Sequence, residues 1–332
     1  MRMGKNPLKV RTKVKKSRAV TVAVLNFVPV ESGYFRESLA VLKLCLASIR
    51  KNTKSPHDLL VFDNGSARPV VEFLLDEKQH GRIDYLILSE SNVGKVGAWN
   101  IMLKAAPGKY VAYADGDVFF YPGWLEEHLK IFEAFPWAGM VTGLPMRHTN
   151  LYRDGTLAIA RQHPEIEIEQ GKLISPETLH FFCDGVGLDY NYFMKKFGQL
   201  DDFRLTHRGR QAYVGSSHFQ FVLRKEVADR ILPLPVTAPL NRTNTKMFDE
   251  AVEAAGVMRL SVLTPFVQHL GNVLTPEWGR VAREYGIAAR SSDRPDRAGS
   301  AQWKLRLREI PVVKRMLLKV YNEIFNLYID RV

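Results

Sequence analysis

The sequence lacks the features of an exported or membrane-spanning protein. Only two cysteines occur in its 332 residues, Cys45 and Cys183, and their spacing fits neither a metal site nor a disulfide framework. No run of about 18 uncharged apolar residues is present, so no transmembrane helix is predicted. The first apolar run, at residues 19–24, leads directly into strand-like sequence, so no secretory signal is expected. These absences together favour a reducing, cytoplasmic environment.

Acidic residues are absent from the first 18 positions, which contain eight lysines and arginines. The whole chain has a formal net charge of +12, and a basic surface attracts nucleic acid, anionic lipid or phosphorylated substrates. Charge alone does not choose among these partners. We interpret residues 1–18 as a solvated, flexible basic tail.

What the sequence does contain is an alternation of strand-like and helical patterns between residues 19 and 143. Four apolar runs of strand length are separated by three helical stretches, at residues 20–27, 39–51, 59–62, 70–75, 85–88, 96–105 and 110–114. Such alternation predicts an α/β fold with a Rossmann-like, mainly parallel central sheet flanked by helices.

Beyond Gly143 the pattern becomes irregular, and we expect this part of the chain to make excursions over the sheet. Strand-like sequence returns at residues 219–223 and 258–263, on either side of a predicted helix at residues 248–255.

Polar residues follow each of the four apolar runs. These residues are Asn26 and the segments 63–66, 89–94 and 115–117. Ligands of open α/β sheets bind beyond the carboxyl ends of the strands. One crevice is therefore expected to hold all four groups.

The last of these segments places two carboxylates, Asp115 and Asp117, on either side of Gly116. Hard divalent cations such as Mn²⁺ and Mg²⁺ prefer oxygen ligands, and they commonly combine one or two carboxylates with substrate phosphates. An acid-glycine-acid tripeptide is also common turn chemistry. Taken alone, the tripeptide therefore predicts either a metal site or a tight turn with two solvated acids.

Several stretches together resemble the family 2 glycosyltransferases of the GT-A fold. The segment 63–66 reads Asp-Asn-Gly-Ser, the segment 92–100 begins Asn-Val-Gly and ends in Asn, and the segment 113–124 contains Asp-Gly-Asp followed by Pro-Gly-Trp. These motifs occur in the family's order, and the resemblance covers roughly residues 18–275. Weaker matches are Gly-Ser-Ser at 215–217 and Gln-His-Leu-Gly at 268–271.

The resemblance implies a GT-A domain at residues 19–280, with a nucleotide-binding half at 19–143 and an acceptor half at 144–280. It implies donor binding by Asn26, Phe27, Asp63, Asn64, Asn92, Gly94, Lys95, Asn100, Asp115 and Gly116. It also implies a Mn²⁺ or Mg²⁺ ion held by Asp115 and Asp117, with His269 as a further ligand.

The residues themselves leave other roles open for some of these side chains. Lys95 also fits a solvated lysine in the first turn of a helix, and Asn92 and Asn100 also fit capping or turn positions. A single histidine beside an apolar run, such as His269, also fits a structural role.

Inverting transfer needs a base that deprotonates the acceptor hydroxyl. Asp249 and Glu250 resemble the family's acidic pair at the start of a helix, and Asp201 and Asp202 are fallback candidates. The interval from the pair to Gly256 is shorter than in the family by about one helical turn. First-turn acids of an ordinary helix are the alternative interpretation.

Two further positions depart from the family's pattern. Extra residues follow Asn26 and Phe27, where the family has a proline-containing turn. Trp99 occupies a position where many relatives have an arginine. The identity of the donor is therefore left open by the resemblance.

The expected function is that of an inverting, metal-dependent glycosyltransferase that uses a nucleotide sugar, with UDP-sugars favoured. The acceptor is a hydroxyl group of a glycan, a lipid-linked molecule or another compound. Alternatives are the same fold glycosylating modified nucleic acid, a non-catalytic nucleic-acid-binding protein, and a degenerate transferase fold that only binds.

Residues 303–332 alternate basic and apolar side chains, which predicts an amphipathic helical extension at about residues 300–332. Such a helix can attach to the inner face of a membrane or pack against the domain or a second subunit. The oligomeric state is not indicated.

Overall fold

A computed structural model describes residues 16–236 and 242–288. The predicted extension at residues 300–332 lies outside the described residues, as do positions 1–15 of the predicted basic tail. All described residues belong to one compact unit.

The described residues contain twelve strands and ten α-helices. The strands are β1 Val20–Asn26, β2 His57–Asn64, β3 Tyr85–Ser89, β4 Tyr110–Asp115, β5 Val118–Phe120, β6 Ala138–Thr142, β7 Glu167–Gly171, β8 Asp202–His207, β9 Arg210–Val214, β10 Gln220–Arg224, β11 Met258–Ser261 and β12 Val267–His269. The α-helices are α1 Ser38–Asn52, α2 Arg68–Gln79, α3 Gly94–Ala105, α4 Trp124–Ala134, α5 Asp154–Arg161, α6 Pro176–Gly185, α7 Tyr190–Phe197, α8 Lys225–Ile231, α9 Arg242–Ala254 and α10 Pro276–Glu284. Short 3-10 helices occupy Gly33–Phe35 and Arg147–Tyr152.

Ten of these strands form one mixed sheet in the order β3-β2-β1-β4-β10-β6-β11-β9-β8-β7, while β5 and β12 form a separate antiparallel pair. Strands β3, β2, β1 and β4 run parallel, and so do β6 and β11. The other neighbours in the sheet run antiparallel. The predicted α/β fold is confirmed, and its parallel part coincides with the regular strand-helix alternation of residues 19–143.

Strand β1 shows why the sequence has continuous apolar runs rather than alternating ones. Val22 and Val24 pack into the cluster that contains side chains of α1, α2 and α4, whereas Ala23 and Leu25 pack into the cluster that contains α3, α8 and α9. A strand buried on both faces needs apolar side chains at successive positions. The sheet is thus covered by helices on both sides.

The region after Gly143 extends the sheet instead of only crossing it. Strands β7, β8 and β9 form an antiparallel meander beside β11, accompanied by α5, α6 and α7. The edge strand β7 reads Glu-Ile-Glu-Gln-Gly, and its first four residues are exposed. Because exposed edge strands carry polar and charged side chains, this strand has no apolar run that sequence reasoning could detect.

Neither fallback carboxylate is available as a base. Asp202 is fully buried, and Arg147 donates to its Oδ1 at 3.0 Å and to its Oδ2 at 2.8 Å. Asp201 bonds Gln170 and Lys172 on the β7–β8 side of the sheet. Both side chains therefore stabilise the meander.

A buried histidine of α4 makes the stability of the fold depend on pH. His128 is fully buried, its Nδ1 donates to the carbonyl of Trp124 at 2.6 Å, and burial lowers its pKa to about 4. As the pH falls from about 6.5 to about 4, the unfolded chain takes up a proton that the folded chain resists, so stability is lost over that window. The expected loss from this residue is about 3 kcal/mol.

Urea unfolding at pH 7 and at pH 4.5 measures this effect. The variant His128→Gln keeps a side-chain donor but does not titrate, and it should lose less stability between the two pH values than the wild type. A variant with the same loss would show that other groups cause the acid sensitivity.

Candidate functional site

The carboxyl ends of the parallel strands open into one cleft of about 400 Å³, as the polar strand ends predicted. The sequence-predicted residues that line it are Asn26, Phe27, Asn64, Asn92, Gly94, Lys95, Asp115, Gly116 and Asp117. The register of the strands explains this convergence, because Asn26 at the end of β1 pairs with Asp63 of β2 and Leu25 pairs with Asp115 of β4.

Asp63 lies beneath the wall of the cleft and is 1% exposed. Its Oδ1 accepts from Asn26 Nδ2 at 2.8 Å, and its Oδ2 accepts from the backbone N–H of Ser66 at 2.9 Å. Asn26 Nδ2 also donates to Ser66 Oγ at 3.0 Å. These contacts fix the orientation of Asn26, which itself lines the cleft.

The turn after β2 is tied to the start of α3. Asn64 Nδ2 donates to Asn92 Oδ1 at 2.9 Å, and Asn64 Oδ1 accepts from the N–H of Val93 at 2.9 Å. Gly65 has a φ of +82°, and a Cβ there would lie 2.9 Å from the carbonyl carbon of Ser91. The Asp-Asn-Gly-Ser motif therefore requires its glycine for a close approach between two backbone segments.

Asp115 at the end of β4 is already neutralised by its neighbours. Lys95 Nζ donates to its Oδ2 at 2.7 Å, and the hydroxyl of Tyr113 donates to its Oδ1 at 2.5 Å. Lys95 Nζ also lies 5.3 Å from the ring centroid of Trp99. The lysine is thus held at the cleft wall rather than pointing into solvent.

Asp117 has a different environment, because its Oδ1 is buried and accepts no hydrogen bond within the described residues. Its Oδ2 lies 3.4 Å from His269 Nε2, and the side chain as a whole is 34% exposed. The pKa of Asp117 is raised to about 6, chiefly by burial and in part by Asp115, against the opposing effects of His269 and Lys95. Oδ1 of this carboxylate is thus left without a donor among the described residues.

A divalent cation fits this environment. The orphaned Asp117 oxygen offers a hard ligand, and the neighbouring cleft leaves room for phosphate oxygens and waters, which such ions normally retain. No cluster of three or more His, Cys, Asp or Glu side chains suited to a metal occurs within the described residues. A cation here would depend on the ligands that a bound diphosphate supplies.

His269 is oriented by its own loop. The backbone N–H of Gly271 donates to its Nδ1 at 3.1 Å, so in this orientation the ring proton lies on Nε2 and points toward Asp117. Coordination of a metal through Nε2 requires the proton on Nδ1 instead. His269 would have to reorient before it could serve as a ligand.

His269 also lines a second cavity, of about 920 Å³. Aromatic side chains including Tyr121, Phe181 and Trp278 form part of its wall. The histidine therefore contacts both this cavity and the carboxylate of Asp117.

Besides Asp63 and His269, three predicted residues do not line the cleft. Asn100 is used by the loop after α8, since its Nδ2 donates to the carbonyl of Leu234 and its Oδ1 accepts from the N–H of Leu234, both at 2.8 Å. Glu250 is exposed and pairs with Lys246 at 3.0 Å. Asp249 is 5% exposed and contacts Arg259 and His218.

The expectation that Asp249 and Glu250 begin a helix is wrong. Helix α9 begins at Arg242, seven residues before Asp249, so the acidic pair lies in its middle. The polar run that precedes Phe248 hid this start, because residues 242–246 contain no apolar side chain for a periodicity argument.

Sequence reasoning missed two segments that close the cleft. Tyr34 and Phe35 come from the extra residues after β1, and Phe35 packs edge-on against Phe27 with ring centroids 6.1 Å apart. Asn272 donates through Nδ2 to the carbonyl of Tyr34 at 2.6 Å. The extra residues after β1 and their aromatic side chains were visible in the sequence and could have indicated this wall. The contact with Asn272 joins residues too far apart in the sequence to be predicted from local patterns.

Comparison with known proteins supports the resemblance to family 2 glycosyltransferases. Residues 34–194 match the family described as Glycosyl transferase family 2. An uncharacterized glycosyltransferase of Rickettsia conorii is 33% identical over 88 residues, which is 26% of this chain and 14% of the relative. An uncharacterized glycosyltransferase of Rickettsia bellii is 31% identical over 88 residues, which is 26% of this chain and 12% of the relative. The chain thus matches only a small part of the length of these relatives.

Two solved structures are similar at low identity. TarS 1–349 of S. aureus is 13% identical, with 82% of this chain and 66% of that chain covered and a TM-score of 0.46. The mannosyltransferase PcManGT from Pyrobaculum calidifontis, in complex with GDP-Man and Mn²⁺, is 14% identical, with 76% and 58% covered and a TM-score of 0.43. Within the described residues, no helix has the length and apolarity needed to span a bilayer. The family match bears out the resemblance: residues 34–194 of this chain are similar to the family 2 glycosyltransferases.

Proposed function

We propose that the chain transfers a sugar from a nucleotide sugar, with UDP-sugars favoured, to an acceptor hydroxyl with inversion at the anomeric carbon. The observation that carries this proposal is the pair Asp115 and Asp117 at the mouth of the cleft, together with the buried, unpartnered Oδ1 of Asp117. The 19–143 half would bind the nucleotide, and the 144–280 half would bind the acceptor.

The proposed nucleotide contacts come from one end of the cleft. Phe27 and Tyr34 offer aromatic faces for the base, and Asn26 and Asn64 offer amide groups for its edge or for the ribose. Lys95 and the start of α3 at Gly94 lie at the cleft wall, where a cation and backbone N–H groups suit a diphosphate.

The proposed metal, Mn²⁺ or Mg²⁺, would be held by Asp117 and by Asp115, with His269 as a further ligand after reorientation. When bound, it would neutralise charge that develops on the departing diphosphate. Lys95 would add positive charge beside the same group and is fixed by its contact with Asp115.

Asp249 is the better placed of the two proposed catalytic carboxylates. It is anchored on α9 beside Phe248, whose ring stacks on Phe221 of β10 at 5.0 Å. Glu250 is on the exposed side of the same helix. The acid-base role is therefore assigned to the neighbourhood of Asp249.

Calorimetry with UDP, GDP, CMP and dTDP tests the proposal directly. One nucleotide is expected to bind in the presence of Mn²⁺ and to lose affinity with a chelator. The variant Tyr34→Ala should weaken that binding by about 1–3 kcal/mol, because base stacking on an aromatic ring is lost. Tyr34 is 50% exposed, so its removal should leave the fold intact.

The matched control is Tyr192→Ala, since Tyr192 is 56% exposed on α7 and lies outside the cleft lining. It should bind the nucleotide as the wild type does. If no nucleotide binds, or if both variants bind alike, the assignment of this cleft to the donor is contradicted.

The net charge of +12 favours one other acceptor class, a modified nucleic acid. Phosphate contacts release counterions, so transfer to nucleic acid should weaken steeply as salt is raised. Transfer to a glycan or lipid-linked hydroxyl should be much less sensitive to salt.

A further inference from the structure

We propose that His218, held in place by Asp249 and Arg259, is the base that removes the proton from the acceptor hydroxyl. This inference rests on the proposed function. In this assignment Asp249 is a positioning residue and the base is a histidine rather than a carboxylate. Nε2 of His218 is the atom that would accept the proton.

Asp249 is poorly suited to contact an acceptor itself. It is 5% exposed, its Oδ1 accepts from Arg259 Nη2, and its Oδ2 lies 3.3 Å from His218 Nδ1. Both oxygens are already engaged with other side chains.

Arg259 fixes the position of that carboxylate. It is 1% exposed, and it donates through Nε to Ser216 Oγ at 3.0 Å and through Nη2 to the carbonyl of Ser216 at 3.2 Å. Its Nη1 donates to the backbone carbonyl of Asp249 at 3.4 Å. The arginine thus joins β11, α9 and the loop before β10, which is the loop that carries His218.

The strand register places His218 beside the end of β4. Gln220 of β10 pairs with Ala114 of β4, and the N–H of Asp115 donates to the carbonyl of Phe219 at 2.9 Å. His218 directly precedes Phe219, so it lies on the segment that borders Asp115. The ring of Phe219 lies 5.8 Å from that of His269.

An aromatic stack also connects the two groups on one face of the sheet. Tyr113, which donates to Asp115, stacks on Phe221 at 4.9 Å, and Phe221 stacks on Phe248, the residue before Asp249. The carboxylate of Asp115 and the Asp249–His218 pair are therefore held by the same packed cluster.

The orientation of the His218 ring leaves one nitrogen available. A carboxylate only accepts, so Nδ1 carries the proton toward Asp249 and Nε2 is the unprotonated nitrogen. Nε2 has no partner among the described residues, and the side chain is 37% exposed. A carboxylate that orients an imidazole in this way also stabilises the imidazolium that forms.

Other titratable groups around the pair do not compete for this role. His148 interacts electrostatically with both His218 and Asp249, but burial lowers its pKa to about 4, so it is neutral near pH 7. Glu253 lies 3.9 Å from Arg259, on the side away from His218, and accepts from the N–H of Gly155.

The acceptor oxygen forms a bond to the anomeric carbon, and the bond from that carbon to the phosphate oxygen breaks, with its electron pair leaving on the nucleoside diphosphate. The acceptor proton moves to His218 Nε2, and the imidazolium later releases it to water. No oxidant or further reactant is needed.

The experiment uses the full chain with Mn²⁺ and the nucleotide sugar chosen by calorimetry, and it measures release of nucleoside diphosphate with water as the acceptor. His218→Ala is expected to lower the rate by about 10²–10⁴-fold while the Kd of the nucleotide stays unchanged. Added imidazole should restore part of that rate.

Asp249→Asn should lower kcat more than it changes KM, and imidazole should not rescue it because His218 is still present. The control is His80→Ala, which removes a histidine paired with a carboxylate, Asp76, at 3.2 Å on the surface of α2, and it should retain the full rate. If His218→Ala keeps the wild-type rate, or is not rescued by imidazole, the assignment is overturned while the proposed function stands. A wild-type protein that binds no nucleotide or releases none contradicts the proposed function itself.

Discussion

Replacing Asp117 with asparagine is expected to lower turnover of the nucleotide sugar by about 10²–10³-fold or more while raising the melting temperature of the metal-free protein. The two effects have one origin. Asp117 Oδ1 is buried without a hydrogen-bond donor among residues 16–236 and 242–288, which is unfavourable for the free carboxylate and favourable for a bound cation.

The direction of the stability change follows from the pKa. Burial raises the pKa of Asp117 to about 6, so above that pH the folded state holds a charge that the unfolded chain accommodates better. An amide of the same size removes this charge. A gain of about 1 kcal/mol corresponds to a rise in melting temperature of about 2–4 °C for a domain of this size.

The control for this variant is Asp229→Asn, which makes the same chemical change at an exposed carboxylate. Asp229 bonds Lys225 at 2.9 Å and Lys104 at 3.0 Å, and these bonds, with Lys225 the larger cause, lower its pKa. Its replacement should leave turnover unchanged and should not raise the melting temperature. Calorimetric titration with Mn²⁺ and the nucleotide, together with thermal unfolding, measures both properties.

Two results would contradict this account of Asp117. If Asp117→Asn retains metal-dependent nucleotide binding, Asp117 is not a ligand. If the variant melts at a lower temperature than the wild type, the buried oxygen is stabilised by a contact other than a cation.

The part of the site that sequence predicted depends on neighbouring strand ends. Asn26, Asn64 and Asp115 follow apolar runs of strand length, and parallel strands bring such positions to one edge of a sheet. The periodicity of the sequence predicts these strand ends because each strand is a local pattern. The motifs at these strand ends occur in the same order as in the family, and that order led to the resemblance.

Contacts between distant segments lay beyond such reasoning. Asp63 matches a motif, but the structure shows that its carboxylate accepts hydrogen bonds from Asn26 and Ser66. Asn100 matches a motif too, yet Leu234 bonds both ends of its amide. Motif membership predicts the position of a side chain along an element, whereas tertiary packing decides what it contacts.

His218 shows the same limit for a residue that no motif indicates. Nothing in the Gly-Ser-Ser segment indicates that the next residue meets a carboxylate 31 positions later. Helix α9 brings Asp249 there because Phe248 packs on the aromatic rings of Trp99 and Phe221. Burial of one aromatic residue therefore brings Asp249 and His218 together.

Arg147→Met is expected to destabilise the fold by about 3–5 kcal/mol, since it leaves the buried charge of Asp202 without its cation. Arg147 and Asp202 have side chains that are 4% and 0% exposed. Asp202 Oδ2 also accepts from the N–H groups of Leu173 and Ile174, both at 3.0 Å. The double variant Arg147→Met/Asp202→Asn should recover part of the loss, because an amide oxygen still accepts from these N–H groups.

Urea unfolding measures the two variants against Arg204→Met, which breaks an exposed pair with Glu169 and should cost less than about 1 kcal/mol. The role of this pair would be contradicted if the changes in the free energy of unfolding were strictly additive between the single and double variants. A loss below about 1 kcal/mol for Arg147→Met would contradict it as well. Nucleotide binding by the folded fraction should be unchanged, because neither residue lines the cleft. That result would separate the carboxylate that supports the β7–β8 meander from the carboxylates that serve the reaction.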